Sequence, residues 1–349
     1  MTVVHSVTGP VDSAELGVCL PHEHILNDVR SWWSPTTELG LDAEEFANLP
    51  VAMDILWELR NDPFANRDNC TMRDPELAIQ ELNRFQDLGG VSVLEATSAS
   101  IGRDLPGLRE ISEATGLTIV AGSGLYLDSS MTDEQRQWDV DTMAQVLRED
   151  LAGGSYGIRP GFIGEIGVSA DFTSAERRSL QAAARVQQET GLPLQVHLPG
   201  WYRLGHEVLD VCESENADPK AVVLCHMGPS GADATYQQSL AARGAWIQYD
   251  MVGMEVFYAD QGVQCPSDED NARHIMELVD AGWAHRILIS QDIFLKSLLR
   301  AYGGPGFSHI QQFFLPRLIR HGATPELTTQ LTVTNPKTLF DTAKENHHD

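Results

Sequence analysis

Positively charged residues are scarce in this sequence. Its 349 residues include 24 lysines and arginines against 50 aspartates and glutamates, which gives a formal net charge of −26. Such a surface repels the phosphate backbone of a nucleic acid and the face of an anionic membrane. We therefore expect a small molecule as the partner, and we expect neither nucleic acid nor a membrane.

Three further features are missing. No apolar run approaches the roughly 18 to 20 residues that a membrane-spanning helix needs. The first ten residues, MTVVHSVTGP, lack the basic segment followed by an apolar segment that marks a secretory signal. The five cysteines are scattered without a C-x-x-C motif, which argues against a disulfide framework and a thiolate zinc knuckle. We predict a soluble, cytoplasmic protein with reduced thiols.

Short apolar runs alternate with helical segments along the chain. The runs are VCLPH near residue 20, VSVLEAT from Val91, LTIVAGSG from Leu117, GFIGEIG from Gly161, LPLQVHL from Leu192, AVVLCHMG from Ala221, AWIQYDM from Ala245 and RILISQD from Arg286. Eight strand–helix alternations in one chain predict an α/β fold, a (β/α)8 TIM barrel. We expect one domain over residues 1–349, with an insertion after the first strand at about 27–72 and C-terminal helices at about 308–345.

Two histidines end the first of these runs, in LGVCLPHEHIL at residues 16–26. Side chains alternate along a strand, so His22 and His24 share one face while Glu23 points to the other. Two imidazoles on one face are typical of a metal site.

Other predicted strands also end in a histidine or an acid, where a parallel barrel carries its functional side chains. A single histidine there is more often a structural residue, but six such side chains on one rim predict a metal site. This thiolate-free set fits zinc, manganese, cobalt or iron, and it is larger than one catalytic zinc uses, so we predict two divalent ions. Two such ions can share a hydroxide and polarise the bond that it attacks. The candidate ligands are His22, His24, Glu165, His197, His226 and Asp292.

This constellation resembles the phosphotriesterase-related family of the amidohydrolase superfamily, a family of metal-dependent hydrolases. The resemblance covers nearly the whole chain in order. It lies in LGVCLPHEH, LEATSASIGRD, GEIG around Glu165, QVHLPG, LCHMG, LISQD and TVTNPKTLF.

The resemblance implies a role for each candidate ligand. His22 and His24 with Asp292 would hold the more buried metal, His197 and His226 would hold the more exposed one, and an acid of the fourth strand would bridge both. Many relatives bridge with a carboxylated lysine, but the first lysine here is Lys220, well after that strand. Glu165 is therefore the expected bridge, as in the branch that uses glutamate. A helix-facing salt bridge is the structural alternative for Glu165.

The resemblance also implies a mechanism, in which the bridging hydroxide attacks a carbonyl carbon while Asp292 carries the proton to the leaving group. The favoured function is a lactonase or carboxylesterase. The alternatives are an amidohydrolase that cleaves an N-acyl small anion, with phosphotriester hydrolysis at most as a side reaction, and a catalytically silent barrel. Relatives commonly form dimers, so a homodimer is implied as well.

We expect the loops to determine the substrate specificity. Tyr126 matches a tyrosine of lactonase-like relatives that reaches the substrate oxygen, although ordinary packing would also explain it. Relatives that act on acyl-homoserine lactones carry an arginine where this chain has Met251. Met251 with Trp32, Trp33, Met254 and Phe257 would form an apolar rim, or would simply pack the loops.

The loop after the eighth strand offers two cations. Lys296 and Arg300 would anchor an anionic substrate, unless they are simply solvated. The glycine-rich stretch GGPGFSHI that follows is either a mobile lid or a tight connection.

Overall fold

Eight parallel strands form the central sheet. In the computed structural model, which describes residues 2–35 and 42–345, they lie in chain order, each hydrogen-bonded to the next. Their bounds are β1 Val18–Glu23, β2 Gly90–Glu95, β3 Thr118–Ser123, β4 Phe162–Gly167, β5 Leu194–His197, β6 Val222–Leu224, β7 Trp246–Tyr249 and β8 Ile287–Ile289. Every strand overlaps a predicted run, with only Glu23 of β1 and Gly90 of β2 outside one, and the predicted (β/α)8 barrel is confirmed.

A helix follows each strand and covers the outside of the sheet. The helices are α1 Pro75–Asp87, α2 Leu105–Thr115, α3 Val140–Leu151, α4 Ser174–Thr190, α5 Gly205–Ser214, α6 Ala234–Ala242, α7 Asp268–Asp280 and α8 Leu315–Arg320, followed by α9 Pro325–Thr329 and α10 Asn335–Glu345. Side-chain caps fix where several begin: the Asp74 carboxylate accepts from the Leu77 N–H at α1, and Thr173 and Glu176 form a capping box at α4.

One buried carboxylate closes the seam between the first and last strands. Glu23 accepts hydrogen bonds from the Ser290 hydroxyl at 2.7 Å and from the backbone N–H groups of Gln291 at 2.9 Å and Ile293 at 2.8 Å. Burial raises the pKa of Glu23 to about 7 against the effect of these donors. The carboxylate thereby holds the chain around Asp292 against the end of β1.

The long segment between β1 and α1 is tied at its base. Its ends pair antiparallel, with Asn27 opposite Met72 and Asp28 opposite Thr71. Between them lie two short helices, Ala43–Ala47 and Leu56–Asn61, over a small core of their own. Residues 36–41 of the predicted insertion lie outside the described residues.

The C-terminal helices cover the end of the barrel where the strands begin. Phe340 of α10 packs with Cys19, Val120 and Phe162, and its neighbour Leu339 packs with residues of the strands β6 to β8. This leaves the opposite end, where the strands finish, open for a site.

The cysteines, the helix lengths and the glycine-rich loop can be compared with the remaining sequence predictions. All five cysteines are free and buried, and no helix in the described ranges is long and apolar enough to cross a bilayer. The GGPGFSHI stretch packs as a tight connection, because the Gly304 and Gly306 N–H groups bond to the carbonyls of Leu299 and Leu298 and Phe307 is buried.

Candidate metal centre

Glu165 lies at the centre of one group of predicted ligands. Its Oε1 atom is 2.9 Å from Nε2 of His226 and 3.2 Å from Nδ1 of His197. The same oxygen is 3.6 Å from Nε2 of His22. The nitrogens of His197 and His226 are themselves 2.8 Å apart. One carboxylate therefore faces three imidazoles that come from three different strands.

Asp292 forms a second group, with the histidines of the first strand. Its Oδ1 atom lies 3.3 Å from Nε2 of His24 and 3.5 Å from Nε2 of His22. Since His22 also faces Glu165, the two groups share one imidazole and adjoin each other. The structure thus brings all six predicted ligands together at the carboxyl ends of the strands.

Three of these imidazoles also contact a polar side chain outside the cluster through Nδ1. This contact fixes which ring nitrogen faces the cluster. Nδ1 of His22 lies 3.1 Å from Oε1 of Gln195, and Nδ1 of His226 lies 2.9 Å from Oδ1 of Asp250. Nδ1 of His24 lies 2.9 Å from the Thr97 hydroxyl. With Nδ1 occupied as a donor, Nε2 keeps its lone pair, which is the arrangement that a metal ligand needs.

Two buried polar atoms at the centre of the cluster make no hydrogen bond. They are Nε2 of His22 and Oδ1 of Asp292, which face each other at 3.5 Å. A buried nitrogen or oxygen without a partner is costly, and a lone pair aimed at a carboxylate oxygen gains nothing unless a cation lies between them. The residues present therefore fit a divalent metal ion.

The charges of the cluster favour added positive charge. Burial alone would raise the pKa of Glu165, but the imidazoles of His22 and His197 hold it well below its usual value. Burial would lower the pKa of His226, yet the carboxylates of Asp250 and Glu165 raise it well above normal. Without metal the site would gather protons, and with metal it would release them.

Cys225 does not add a thiolate to this site, although it lies within ligand distance of His22 and Asp250. Burial raises the pKa of the Cys225 thiol well above its usual value, so the sulfur stays protonated. The candidate ligand atoms are therefore nitrogens and oxygens only.

Two of the candidate ligands have a left-handed backbone. His226 has φ of 58° and Asp292 has φ of 52°, which residues other than glycine rarely adopt. Each conformation is held from outside the ligand set: the Asp250 carboxylate accepts from the His226 N–H, and Glu23 accepts from the residues on both sides of Asp292. Such strain is found at sites where the surrounding structure over-determines the backbone.

Thr97 provides a direct test of this positioning. Its hydroxyl lies 2.6 Å from Oε1 of Glu95, to which it donates, and so it accepts from Nδ1 of His24. We expect Thr97→Val to weaken metal binding by roughly 10- to 100-fold, because His24 loses the partner that orients it. Competition with a chelator measures this. Thr97→Ser, which keeps the hydroxyl, should bind like the wild type; equal affinity in the valine variant would contradict the role.

A cavity of about 630 Å³ opens above the cluster. The predicted ligands His24, Glu165, His197, His226 and Asp292 lie on its floor. Its walls carry many aromatic and aliphatic side chains, namely Val29, Trp32, Phe64, Ile101, Tyr126, Leu127, Leu198, Trp201, Tyr202, Met251, Tyr258, Val263 and Phe294. A small organic molecule fits a concave, apolar site of this size.

Two of the predicted substrate residues lie in this cavity. The Tyr126 hydroxyl is 3.2 Å from Nδ1 of His197, and Met251 is buried in the wall. Trp32 stacks on Phe64 with ring centroids 5.4 Å apart. Trp33, Met254 and Phe257 do not line the cavity, so the apolar rim is built mainly from other aromatic residues.

The two predicted anchor cations lie elsewhere, which corrects that expectation. Lys296 turns away from the cavity and pairs with Asp68 of the insertion, and Arg300 follows in a turn whose N–H bonds to Glu81. Neither side chain lines the cavity. The reason is the chain path after Asp292, which leaves the rim and packs against the insertion and α1.

Sequence reasoning did not assign the residues that orient the ligands, Asp250, Thr97 and Gln195. A signal existed for two of them. Asp250 ends the seventh apolar run as Asp292 ends the eighth, and Gln195 lies two positions before His197, on the same face of its strand. Thr97 lies beyond the end of β2, where the alternation of side chains along a strand no longer predicts which way a side chain points.

The barrel and the cluster at its open end together define a metal-dependent hydrolase fold. A family model described as the phosphotriesterase family matches residues 2–340. The chain therefore belongs to the phosphotriesterase family.

Similar proteins carry several different names. An N-acetyltaurine hydrolase of Tetraodon nigroviridis is 32% identical over 339 residues, which cover 96% of each chain. The crystal structure of a resiniferatoxin-binding protein from Rhodobacter sphaeroides has a TM-score of 0.95 and 48% identity, covering 98% of this chain and 96% of that one. A lactonase structure from Listeria monocytogenes has a TM-score of 0.77 at 21% identity, covering 97% of this chain and 99% of that one, and shares the fold.

Proposed function

We propose that this protein is a binuclear metal-dependent hydrolase of carboxylic esters or lactones whose reacting part is neutral and hydrophobic. His22, His24 and Asp292 would hold one divalent ion, His197 and His226 the other, and Glu165 would bridge them. Zinc, manganese, cobalt and iron all suit these donors. Bound there, the ions supply Lewis acidity and activate water as a nucleophile at neutral pH.

The bridging role of Glu165 is supported by its position. Its Oε1 atom faces one histidine of the first proposed set and both histidines of the second. It is also fully ionised at neutral pH, because the imidazoles keep its pKa well below the usual value despite burial. The alternative of a helix-facing salt bridge finds no support in these contacts.

The side chains that line the cavity support a neutral substrate over an anionic one. Among the described residues that line it there is no lysine and no arginine, whereas six are acids: Asp128, Glu165, Asp171, Glu176, Asp260 and Asp292. A compact anion buried next to the scissile bond would find no lysine or arginine side chain there. A neutral substrate would bury its apolar surface against the aromatic wall.

Tyr126 and Asp292 would act on the substrate from opposite sides of the cluster. The Tyr126 hydroxyl stands beside His197, where it can donate to the carbonyl oxygen, and burial keeps its pKa raised well above the usual value, so it remains a donor. Asp292 would move the proton between the attacking water and the leaving oxygen.

Similarity to N-acetyltaurine hydrolases supports a second candidate, an amidohydrolase of N-acyl small anions. The relative from Tetraodon nigroviridis aligns with 96% of this chain at 32% sequence identity. The charge of the cavity lining argues against it, because the anionic group of such a substrate would lie among carboxylates.

Proton release distinguishes the two candidates. An ester or lactone hydrolysed near pH 8 liberates one proton, while an amide gives a carboxylate and an ammonium with almost no net release. We expect acid production from neutral aliphatic and aromatic lactones and esters with metal-loaded protein, followed by a pH indicator in weak buffer. A parallel amine assay with an N-acyl aminosulfonate covers the alternative. Amine release with no acid production from the ester panel would overturn our assignment.

A further inference from the structure

A second cleft adjoins the active-site cavity on the same rim of the barrel. It has a volume of about 490 Å³ and is formed by the start of the insertion, the end of the insertion and the loops after β2 and β3. Ser129 lines both spaces. The turn Arg30–Trp32 contacts the turn Asp128–Ser130, and these two turns form the wall between cleft and cavity.

The charge of this cleft is opposite to that of the cavity. Three arginines line it, Arg30, Arg67 and Arg73, together with a single acid, Asp28. The neighbouring cavity has six acids and no lysine or arginine among its described lining residues. The chain as a whole has a net charge of −26, but three guanidinium groups around one concave surface favour a positive electrostatic potential there.

One carboxylate holds two of the arginines in place without neutralising both. Arg30 donates to both Asp28 oxygens, at 2.8 Å and 2.6 Å, and Nη2 of Arg73 donates to Oδ2 at 2.8 Å. The hydrogen bond from Arg30 lowers the pKa of Asp28 to about 2, so the carboxylate stays ionised. Two positive charges thus share one negative charge. Within residues 2–35 and 42–345, Nη1 of Arg30 and both Nε and Nη1 of Arg73 have no hydrogen-bond acceptor.

The third arginine is fixed by an aromatic ring. The guanidinium of Arg67 lies 3.8 Å from the ring centroid of Trp33, and its Nη1 atom pairs with Glu44 at 3.1 Å. Nη1 also donates to Oδ1 of Asn48 at 2.8 Å, which leaves Nε and Nη2 as the Arg67 nitrogens without an acceptor in the described ranges. Trp33 therefore lies on the cleft side of the turn while its neighbour Trp32 lies on the cavity side.

Hydroxyl groups and a glycine complete the cleft. Ser31 and Ser129 have hydroxyls with no hydrogen-bond partner in the described part of the chain, so they remain available as donors. Gly102 has φ of 88°, and a Cβ atom there would lie 3.0 Å from the backbone nitrogen of Asp28 and 3.4 Å from Nη2 of Arg73. Glycine at this position keeps the floor open beside the arginines.

We propose that this cleft is a binding site for an oxyanion group, a phosphate, sulfonate or carboxylate. Planar guanidinium groups bind such groups through paired hydrogen bonds, and the free serine hydroxyls supply further donors. The anion comes either free from solution or as the distal end of a substrate whose scissile bond lies in the cavity. The second source rests on the proposed function, while the first does not.

Inorganic phosphate tests the site itself. We expect calorimetric titration of the metal-loaded protein to reveal a phosphate site that Arg30→Gln/Arg73→Gln weakens by about tenfold or more, since each lost charge-assisted bond is worth at least that factor. The matched control is Arg273→Gln, an exposed arginine on α7 paired with Asp270 and Glu277. Phosphate at the metal centre would be retained in all three proteins. Identical titrations of all three proteins would overturn the proposal.

A series of esters identifies the source of the anion. Each ester carries a terminal carboxylate at increasing distance from the scissile bond and is compared with its neutral methyl ester. If substrates supply the anion, the wild-type KM falls by about tenfold for long charged tails only, and the double variant abolishes that difference. If the anion is free, tail charge has no effect at any length while the arginine-dependent phosphate site persists. Because the titration needs no turnover, failure of the proposed hydrolysis would leave its result intact.

Discussion

Replacing Asp292 with asparagine is expected to lower kcat for ester or lactone hydrolysis by roughly 10³-fold while the barrel stays folded. The two oxygens of Asp292 have different surroundings. Oδ1 faces Nε2 of His22 and His24, where a metal would bind, whereas Oδ2 lies 3.8 Å from Nδ1 of His226. Oδ2 is the atom that can carry a proton.

Asparagine keeps the shape of this side chain but can neither accept a proton nor bind a metal ion as an anion. An amide nitrogen cannot accept a proton from water, and a neutral amide oxygen is a poorer metal ligand than a carboxylate. Burial would raise the pKa of Asp292, but the neighbouring imidazoles of His22 and His24 hold it below its usual value. The carboxylate is therefore ionised across the neutral range, as both a metal ligand and a proton acceptor must be.

The measurement is steady-state kinetics with the metal content of each sample determined in parallel. Asp171→Asn is the matched control, because Asp171 lines the same cavity but is exposed and lies apart from the cluster. We expect the control to retain activity within a few-fold of the wild type. Near-normal turnover in a metal-loaded Asp292→Asn protein would rule out its role in proton transfer.

Replacing Glu165 with glutamine is expected to lower the bound metal from the proposed two ions per chain to one or none, with affinity reduced by roughly 100-fold or more. Oε1 of Glu165 lies within 3.6 Å of three imidazole nitrogens, so its negative charge acts on both proposed metal positions. An amide removes that charge. Its nitrogen would also direct hydrogens towards nitrogens whose lone pairs are needed for metal.

Metal analysis after dialysis and chelator competition measure the loss. Glu176→Gln is the control, since Glu176 is also buried at the cavity wall but caps α4 instead of facing the cluster. It should cost about 1 kcal/mol of stability, because a neutral amide accepts less strongly from the Ser169 and Thr173 N–H groups, and it should retain both proposed ions. A Glu165→Gln protein that keeps two ions at wild-type affinity would refute the bridging role.

The convergence of six ligands was predictable because it depends on strand order alone. In a parallel barrel the carboxyl ends of all strands meet at one rim, so a histidine or acid at the end of each apolar run must approach the others. His197 and His226, 29 positions apart in the chain, have ring nitrogens 2.8 Å apart. Local pattern and chain connectivity were sufficient for this part of the site.

The loop residues could not be placed in the same way. Lys296 and Arg300 lie within eight positions of Asp292, and proximity in sequence suggested proximity to the site. The chain turns away after Asp292, and Lys296 pairs with Asp68, which is 228 positions earlier in the chain. A loop side chain is directed by contacts with distant segments, and no periodicity records those contacts.

Two adjacent tryptophans illustrate the same limit. Trp32 lies in the apolar cavity and Trp33 in the arginine cleft, although the sequence grouped them in one rim. The short helical turn that carries them sends successive side chains in different directions. What each one contacts depends on Phe64 and Arg67, both contributed by the far end of the insertion.

The sequence by itself determined the barrel, the rim that carries the candidate site and the nitrogen and oxygen side chains that meet there, because strand periodicity and strand ends are local properties that fix these features. Only the tertiary structure decided which nitrogen each histidine presents, which side chains line the cavity and where positive charge collects beside it. Those features arise where loops from separate strands pack together. Their geometry is set by contacts such as Asp250 with His226 and Asp28 with Arg73, and no single stretch of the chain contains both partners.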